Sequence, residues 1–229
     1  MIPPPCHMDP ARGRVNSPQA QAYPLPQLLM YAGDVAQRKG AMASLLGLLD
    51  VERAARYRPS LARTLCNLYA HDWCHQLGAF LPRVWWNSEA LKQWEKDNPQ
   101  PVAYPHGHRD GTVRELNANS LHDWLAERGK DHGWRVVQTA QELQSHVDNT
   151  GRPAVISARN ATRKFSGHIT CVLPDQFDDI GPEGLGTGYA PLQTQAGRIN
   201  RRRFASGWWR SDSFDSVVLA AFHGTGERQ

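Results

Sequence analysis

The sequence predicts an α+β fold, with helices first and an antiparallel sheet after them. Three observations carry this. Apolar residues in the first two thirds recur at helical spacing, as in Leu116, Leu121, Trp124 and Leu125. Beyond residue 150, short runs rich in β-branched residues take over, such as Ala154-Val155-Ile156 and Ile169-Thr170-Cys171-Val172. The third is order: a block of helices followed by a block of strands is an α+β arrangement.

The elements follow in turn. Residues 1–25, rich in Pro and Gln, read as a flexible arm, and residues 26–229 as one domain. The pattern predicts a helix over Leu28–Leu49. A polar stretch, VERAARYRPSLART, then leads into a helix over Cys66–Leu77, stopped by Gly78. FLPRVWW reads as a loop-like exit carrying Trp85 and Trp86. Residues 87–98 form a short helix ended by Asn98-Pro99, and 100–113 a loop. A helix over 116–128 is capped by Gly129, and another around Leu143 ends near Asn149-Thr150-Gly151. Strands are expected over Ala154–Ala158, Gly167–Leu173 (stopped by Pro174), Leu192–Ala196 and Ser216–Phe222, with a Gly-rich loop over Asp178–Gly188.

Composition bounds the function. Hydrophobic residues make up 40% and charged residues 21%, which is globular rather than disordered. No apolar run is long enough to span a bilayer, so no transmembrane segment is expected. The first residues lack a basic start followed by an apolar stretch, so the chain is expected to be made in the cytoplasm without a signal peptide. The net charge of +4 and pI near 9.0 favour anionic surroundings. Only Arg201-Arg202-Arg203 forms a tight basic run, read as a solvated face, and no interleaving of aromatic and basic residues suggests nucleic-acid binding. The four cysteines, Cys6, Cys66, Cys74 and Cys171, include no CxxC pair, and read as free thiols.

Two residues suit nucleophilic chemistry. Cys66 stands where a helix begins, and unpaired N–H groups there favour a thiolate. Its base is expected far away in sequence, and His168 fits, opening an apolar strand directly after Gly167. The glycine lets another backbone or a substrate approach closely. A third group must orient the imidazole. Asp175 lies too far along the extended strand, about 3.3 Å per residue. Gln193 and Gln195 alternate to one face of the next strand, and either could reach the ring from there. Asp72, on the nucleophile helix, reads as structural. Trp85, Trp86, Trp208 and Trp209 read either as cleft walls or as core.

Thr64-Leu65-Cys66-Asn67-Leu68-Tyr69-Ala70-His71-Asp72 resembles the Cys-Asn helix start of NlpC/P60-like and CHAP-like cell-wall amidases. Gly167-His168-Ile169, with Val172-Leu173-Pro174-Asp175 after it, is similar to the segment carrying that family's histidine, and Gln193-Thr194-Gln195-Ala196-Gly197 resembles a further motif of the group. The resemblance implies a papain-like core, with the Cys-bearing helix packed on an antiparallel sheet that carries the histidine. It implies a cysteine peptidase cleaving an amide in the peptidoglycan stem peptide, with catalytic Cys66, His168 and Gln195 and no cofactor. Such domains occur among antibacterial type VI secretion effectors. That implies secretion into the periplasm of a target bacterium, a secretion-apparatus component as partner, and a cognate immunity protein.

Other readings stand beside this one. His71 and His75 have the HxxxH spacing of a zinc protease helix, with Asp72 in place of the usual Glu. The Cys–His machinery also serves deamidases and proteases of protein substrates, and a non-catalytic wall-binding module needs neither residue.

Overall fold

The computed structural model describes residues 33–61, 63–97, 113–162, 164–175 and 188–224. The arm over 1–25, the start of the first predicted helix, most of the 100–113 loop and most of the Gly-rich loop lie outside the described residues. The architecture is α+β: N-terminal helices and a six-stranded antiparallel sheet packed against helices.

Helix α1 spans Val35–Leu49. Asp34 caps it by accepting from the Gln37 N–H, while the Gln37 side chain returns to the Asp34 N–H. Met42, Leu45, Leu46 and Leu49 recur at helical spacing and are buried. Helix α2, Cys66–Gln76, is entered without a side-chain cap, because its N-cap position is Leu65. Helices α3 (Ser88–Asp97), α4 (Ala118–Glu127) and α5 (Ala140–Thr150) are the other α-helices among the described residues. Helix α5 ends at Gly151, whose φ of 61° is left-handed and whose Cβ would stand 2.7 Å from that of Arg38.

The main sheet has the order β3-β8-β4-β5-β6-β7. Its strands are β3 (Trp134–Val136), β4 (Ala154–Asn160), β5 (His168–Val172), β6 (Leu192–Gln195), β7 (Arg201–Ala205) and β8 (Phe214–Phe222). A separate antiparallel pair joins β1 (Val84–Trp86) to β2 (Val113–Glu115). Register fixes what faces what. Cys171 of β5 stands opposite Thr194 of β6, and Thr194 bonds the Tyr69 hydroxyl of α2 at 2.8 Å. This face of the sheet therefore looks at α2. By alternation His168, Thr170 and Val172, with Gln193 and Gln195, take the other face.

Two readings are corrected. FLPRVWW is not merely a loop exit: Val84–Trp86 is a strand, and both tryptophans are buried. The Arg201–Arg203 run lies on β7, an edge strand among the described residues, and Arg201 and Arg202 are exposed there, as a solvated face requires. Leu116 precedes α4, whose cap is Asn117, and its N–H donates to the Arg83 carbonyl. The short strands β1, β2 and β3 each hold three residues, too few to display a period.

Candidate active site

Helix α2, strand β5 and strand β6 deliver Cys66, His168 and Gln195 to one place. Cys66 is the first residue of α2, and His168 the first of β5. Gln195 is the last of β6. Because β5 and β6 are antiparallel, the start of one and the end of the other lie at the same end of the sheet. The two strands pair only at Cys171–Thr194 and Val172–Gln193. Ile169 lies before the first of these pairs, and its backbone is hydrogen-bonded to the Cys66 sulfur, as is the backbone of Asn67.

His168 bonds the Cys66 thiol on one side. On the other, its Nε2 stands 2.6 Å from Gln195 Oε1. The Gln195 amide is itself held, donating through Nε2 to the Ile199 carbonyl at 3.1 Å. That bond turns the amide oxygen toward the ring, so His168 Nε2 carries the proton and Nδ1 is left for the sulfur. Burial is the largest influence on each member of the pair, and it opposes both charges. For Cys66 the charge and hydrogen bond of His168, then the two backbone N–H groups, overcome it and hold the thiol below its ordinary range. For His168 the thiolate charge and bond, then the bond to Gln195, raise the imidazole above its ordinary range.

Around this pair the fold leaves little freedom. Trp208 packs edge-on against the His168 ring, with centroids 4.6 Å apart. Its indole N–H donates to Gln193 Oε1 at 2.9 Å, and the same oxygen accepts from the Thr170 hydroxyl at 2.8 Å. Before His168, Gly167 is squeezed against β4: a Cβ there would meet the Ala158 carbonyl oxygen at 2.3 Å and Asn119 Oδ1 at 2.7 Å. Asn119 of α4 closes the β4–β5 connection, donating to the Phe165 carbonyl and accepting from the Asn160 N–H, each at 2.9 Å.

The three candidates from the sequence, Cys66, His168 and Gln195, thus meet. Gln193 lies on the same face but holds Trp208 and Thr170 instead. Asp175 does not approach His168; its N–H donates to Asp148. Asp72 is fully buried and binds Arg56 Nε at 2.6 Å and the Tyr57 hydroxyl at 2.8 Å, tying α2 to the segment before it. Asn67 serves the helix entry, donating to the Leu116 carbonyl. His71 is spent on the Leu81 carbonyl at 2.6 Å and stacks on His75. Among the described residues no group of three or more His, Cys, Asp or Glu is placed to hold a metal ion, so the HxxxH pair finds no third ligand there. Cys66, Cys74 and Cys171 are free thiols; Cys6 lies outside the described residues. The sequence reading missed Asn119, which carries no signal beyond standing near a helix cap, and left Trp208 undecided between cleft and core.

Comparison of the chain with protein-family models, curated proteins and solved structures gave no match.

Proposed function

We propose that the chain is a papain-like cysteine hydrolase that cleaves an amide bond in the peptidoglycan stem peptide, with Cys66 as nucleophile, His168 as acid and base, and Gln195 orienting the ring. The observation that carries this reading is the chain of contacts from the Cys66 sulfur through His168 to Gln195 at 2.6 Å. A nucleophile, a base in reach of it and a group fixing the base are the parts that nucleophilic catalysis needs. The peptidoglycan substrate rests on the resemblance of the Cys66-Asn67 and Gly167-His168 segments to cell-wall amidases.

The reaction begins from a thiolate and an imidazolium. The sulfur attacks the amide carbon, and the carbonyl oxygen takes up the negative charge. The Cys66 backbone N–H, at the start of α2 where no side chain caps the helix, is a natural donor for that oxyanion. The imidazolium gives its proton to the amine as the C–N bond breaks, leaving a thioester. His168, now neutral, takes a proton from water, whose oxygen attacks the thioester carbon. Collapse releases the acid and restores the thiolate. In the antibacterial setting the resemblance implies, the enzyme reaches the wall through a secretion apparatus, and its producer holds an immunity protein.

Purified peptidoglycan digested with the wild type and with Cys66→Ala, the fragments read by mass spectrometry, tests this. The wild type is expected to release new amine termini within the stem peptide, and Cys66→Ala and His168→Ala none, with unaltered circular dichroism. Release by Cys66→Ala would refute the nucleophile. No release by folded wild type would refute the wall substrate.

A further inference from the structure

We propose that the end of the sheet bearing Cys66, His168 and Gln195 docks against an anionic phospholipid surface, so that the site works at a bilayer. Charge along the chain is the first observation. The segments 53–71, 149–174 and 188–211, which supply the three site residues, hold half of the 26 Lys and Arg and none of the 22 Asp and Glu. The rest of the chain, with the other half of the bases and every acid, is net negative. Some of these bases are neutralised by acids from outside the segments: Arg56 by Asp72, and Arg159 by Asp123 and Asp215; exposed Glu52, just before the first segment, accepts from the Arg202 N–H. Arg58, Lys164, Arg198, Arg201 and Arg202 are exposed.

The second observation is apolar. Among the described residues the three most exposed large hydrophobic side chains are Leu61, Phe165 and Ile199. Leu61 lies five residues before Cys66, and Phe165 three before His168. Ile199 accepts the bond that fixes Gln195. Topology gathers their loops. The connection into β5, the exit from β6 and the start of α2 share one end of the sheet. Asn200 then stitches the β6 exit to the segment entering α2, donating to the carbonyls of Val51 and Tyr57. Three loop tips therefore present an apolar side chain each, set among cations, around a single site.

A small anion would call for a few convergent, buried polar groups, and a nucleic-acid strand for aromatic platforms among the cations. Outward-pointing Leu, Phe and Ile between Lys and Arg instead match the boundary of a bilayer, where acyl chains take the apolar tips and phosphates the bases. The orientation would hold the site toward the surface. The proposal depends on where the site lies and not on the reaction it performs.

Flotation of the full chain with phosphatidylcholine vesicles, with and without phosphatidylglycerol, tests it. At low salt the chain is expected to float with the anionic vesicles alone, and high salt to release it. Arg198→Gln and Arg201→Gln should each weaken binding about fivefold. Phe165→Ser combined with Ile199→Ser should weaken it further, while Arg135→Gln, exposed on strand β3 at the opposite edge, leaves it unchanged. Thermal melts of every variant should match the wild type. Absence of binding to anionic vesicles at low salt, equal binding to neutral ones, or indifference to the Phe165 and Ile199 substitutions would overturn the proposal. So would retention on poly-glutamate or single-stranded DNA at a salt that frees the chain from vesicles. Because binding is read without turnover, failure here leaves the hydrolase reading standing, and failure of the peptidoglycan digest leaves this one standing.

Discussion

Replacing Gln195 with Ala removes the acceptor that fixes the His168 ring. The lost bond is short, 2.6 Å, and runs to a ring that is charged in the working state. Such a bond contributes roughly 1.5–3 kcal/mol, which corresponds to a fall in kcat/KM of roughly 10- to 150-fold if the loss appears in the transition state. The pH profile carries a second signature. Activity requires thiolate and imidazolium together, so it is lost as pH falls through the lowered Cys66 range and as it rises through the raised His168 range. Without Gln195 the imidazolium is less stable, so the alkaline limb moves down. The thiolate loses part of its support, so the acid limb moves up, and the bell narrows. Gln195→Glu places a carboxylate beside the ring and should move the alkaline limb the other way. Initial rates of stem-peptide release across the pH range measure both effects. A Gln195→Ala enzyme within twofold of wild type, with an unchanged profile, would refute the role assigned to this residue.

The other predictions concern the frame around the site. Gly167→Ala drives a Cβ to 2.3 Å from the Ala158 carbonyl oxygen, so β4 and β5 must part at their first pair; a loss of about 3 kcal/mol in urea unfolding is expected, and a loss under about 0.5 would contradict the close approach. Asp72→Ala removes the carboxylate that the buried Arg56 guanidinium and the Tyr57 hydroxyl bind, at a cost of about 3–5 kcal/mol in the same assay; full stability would show that α2 is not anchored there. His71 and His146 are both held neutral by burial, their pKa lowered to about 4. The unfolded chain therefore binds more protons as pH falls from the ordinary histidine range toward 4, and stability should drop over that window by on the order of 2 kcal/mol for each group. Urea midpoints at pH 7 and pH 5 check this, and equal midpoints would contradict it.

Much of the site was legible because its residues sit at punctuation points. Cys66 opens a helix behind a polar entry, and His168 opens a strand behind a glycine whose missing side chain the structure requires. Gln195 could be narrowed to one of two residues by strand alternation alone. The choice between them was not legible from alternation: Gln193 and Gln195 share a face, and what separates them is Trp208, which arrives from outside the strand to claim Gln193. The long elements α1, α2 and β8 were expected from their apolar content, but with shifted bounds: α1 begins at Val35 behind the Asp34 cap and not at Leu28, and β8 at Phe214 and not at Ser216. The three-residue strands β1, β2 and β3 exist because a neighbour pairs with them, and β7 hid behind three consecutive arginines that an edge strand tolerates and a central one would not. Asn119 was silent for the same kind of reason. Its work is done across 46 residues of chain to Phe165, through contacts that no local pattern encodes.

An amide rather than a carboxylate beside His168 has a consequence for how the site is charged. Thiolate and imidazolium together are neutral; Cys66 is buried, and the partly buried His168 ring packs on Trp208. A carboxylate in place of Gln195 would leave a net negative charge in that setting, and that charge would oppose the thiolate that the chemistry needs. With a neutral acceptor, the opposing influence on the sulfur is desolvation, and this is offset by its partner's charge and the N–H groups of Ile169 and Asn67. The two protonation equilibria are then tied chiefly to each other, and Gln195 sets ring orientation first and ring basicity second. The anchoring of its amide on the Ile199 carbonyl fits that division: a residue valued for direction must itself be held in one direction.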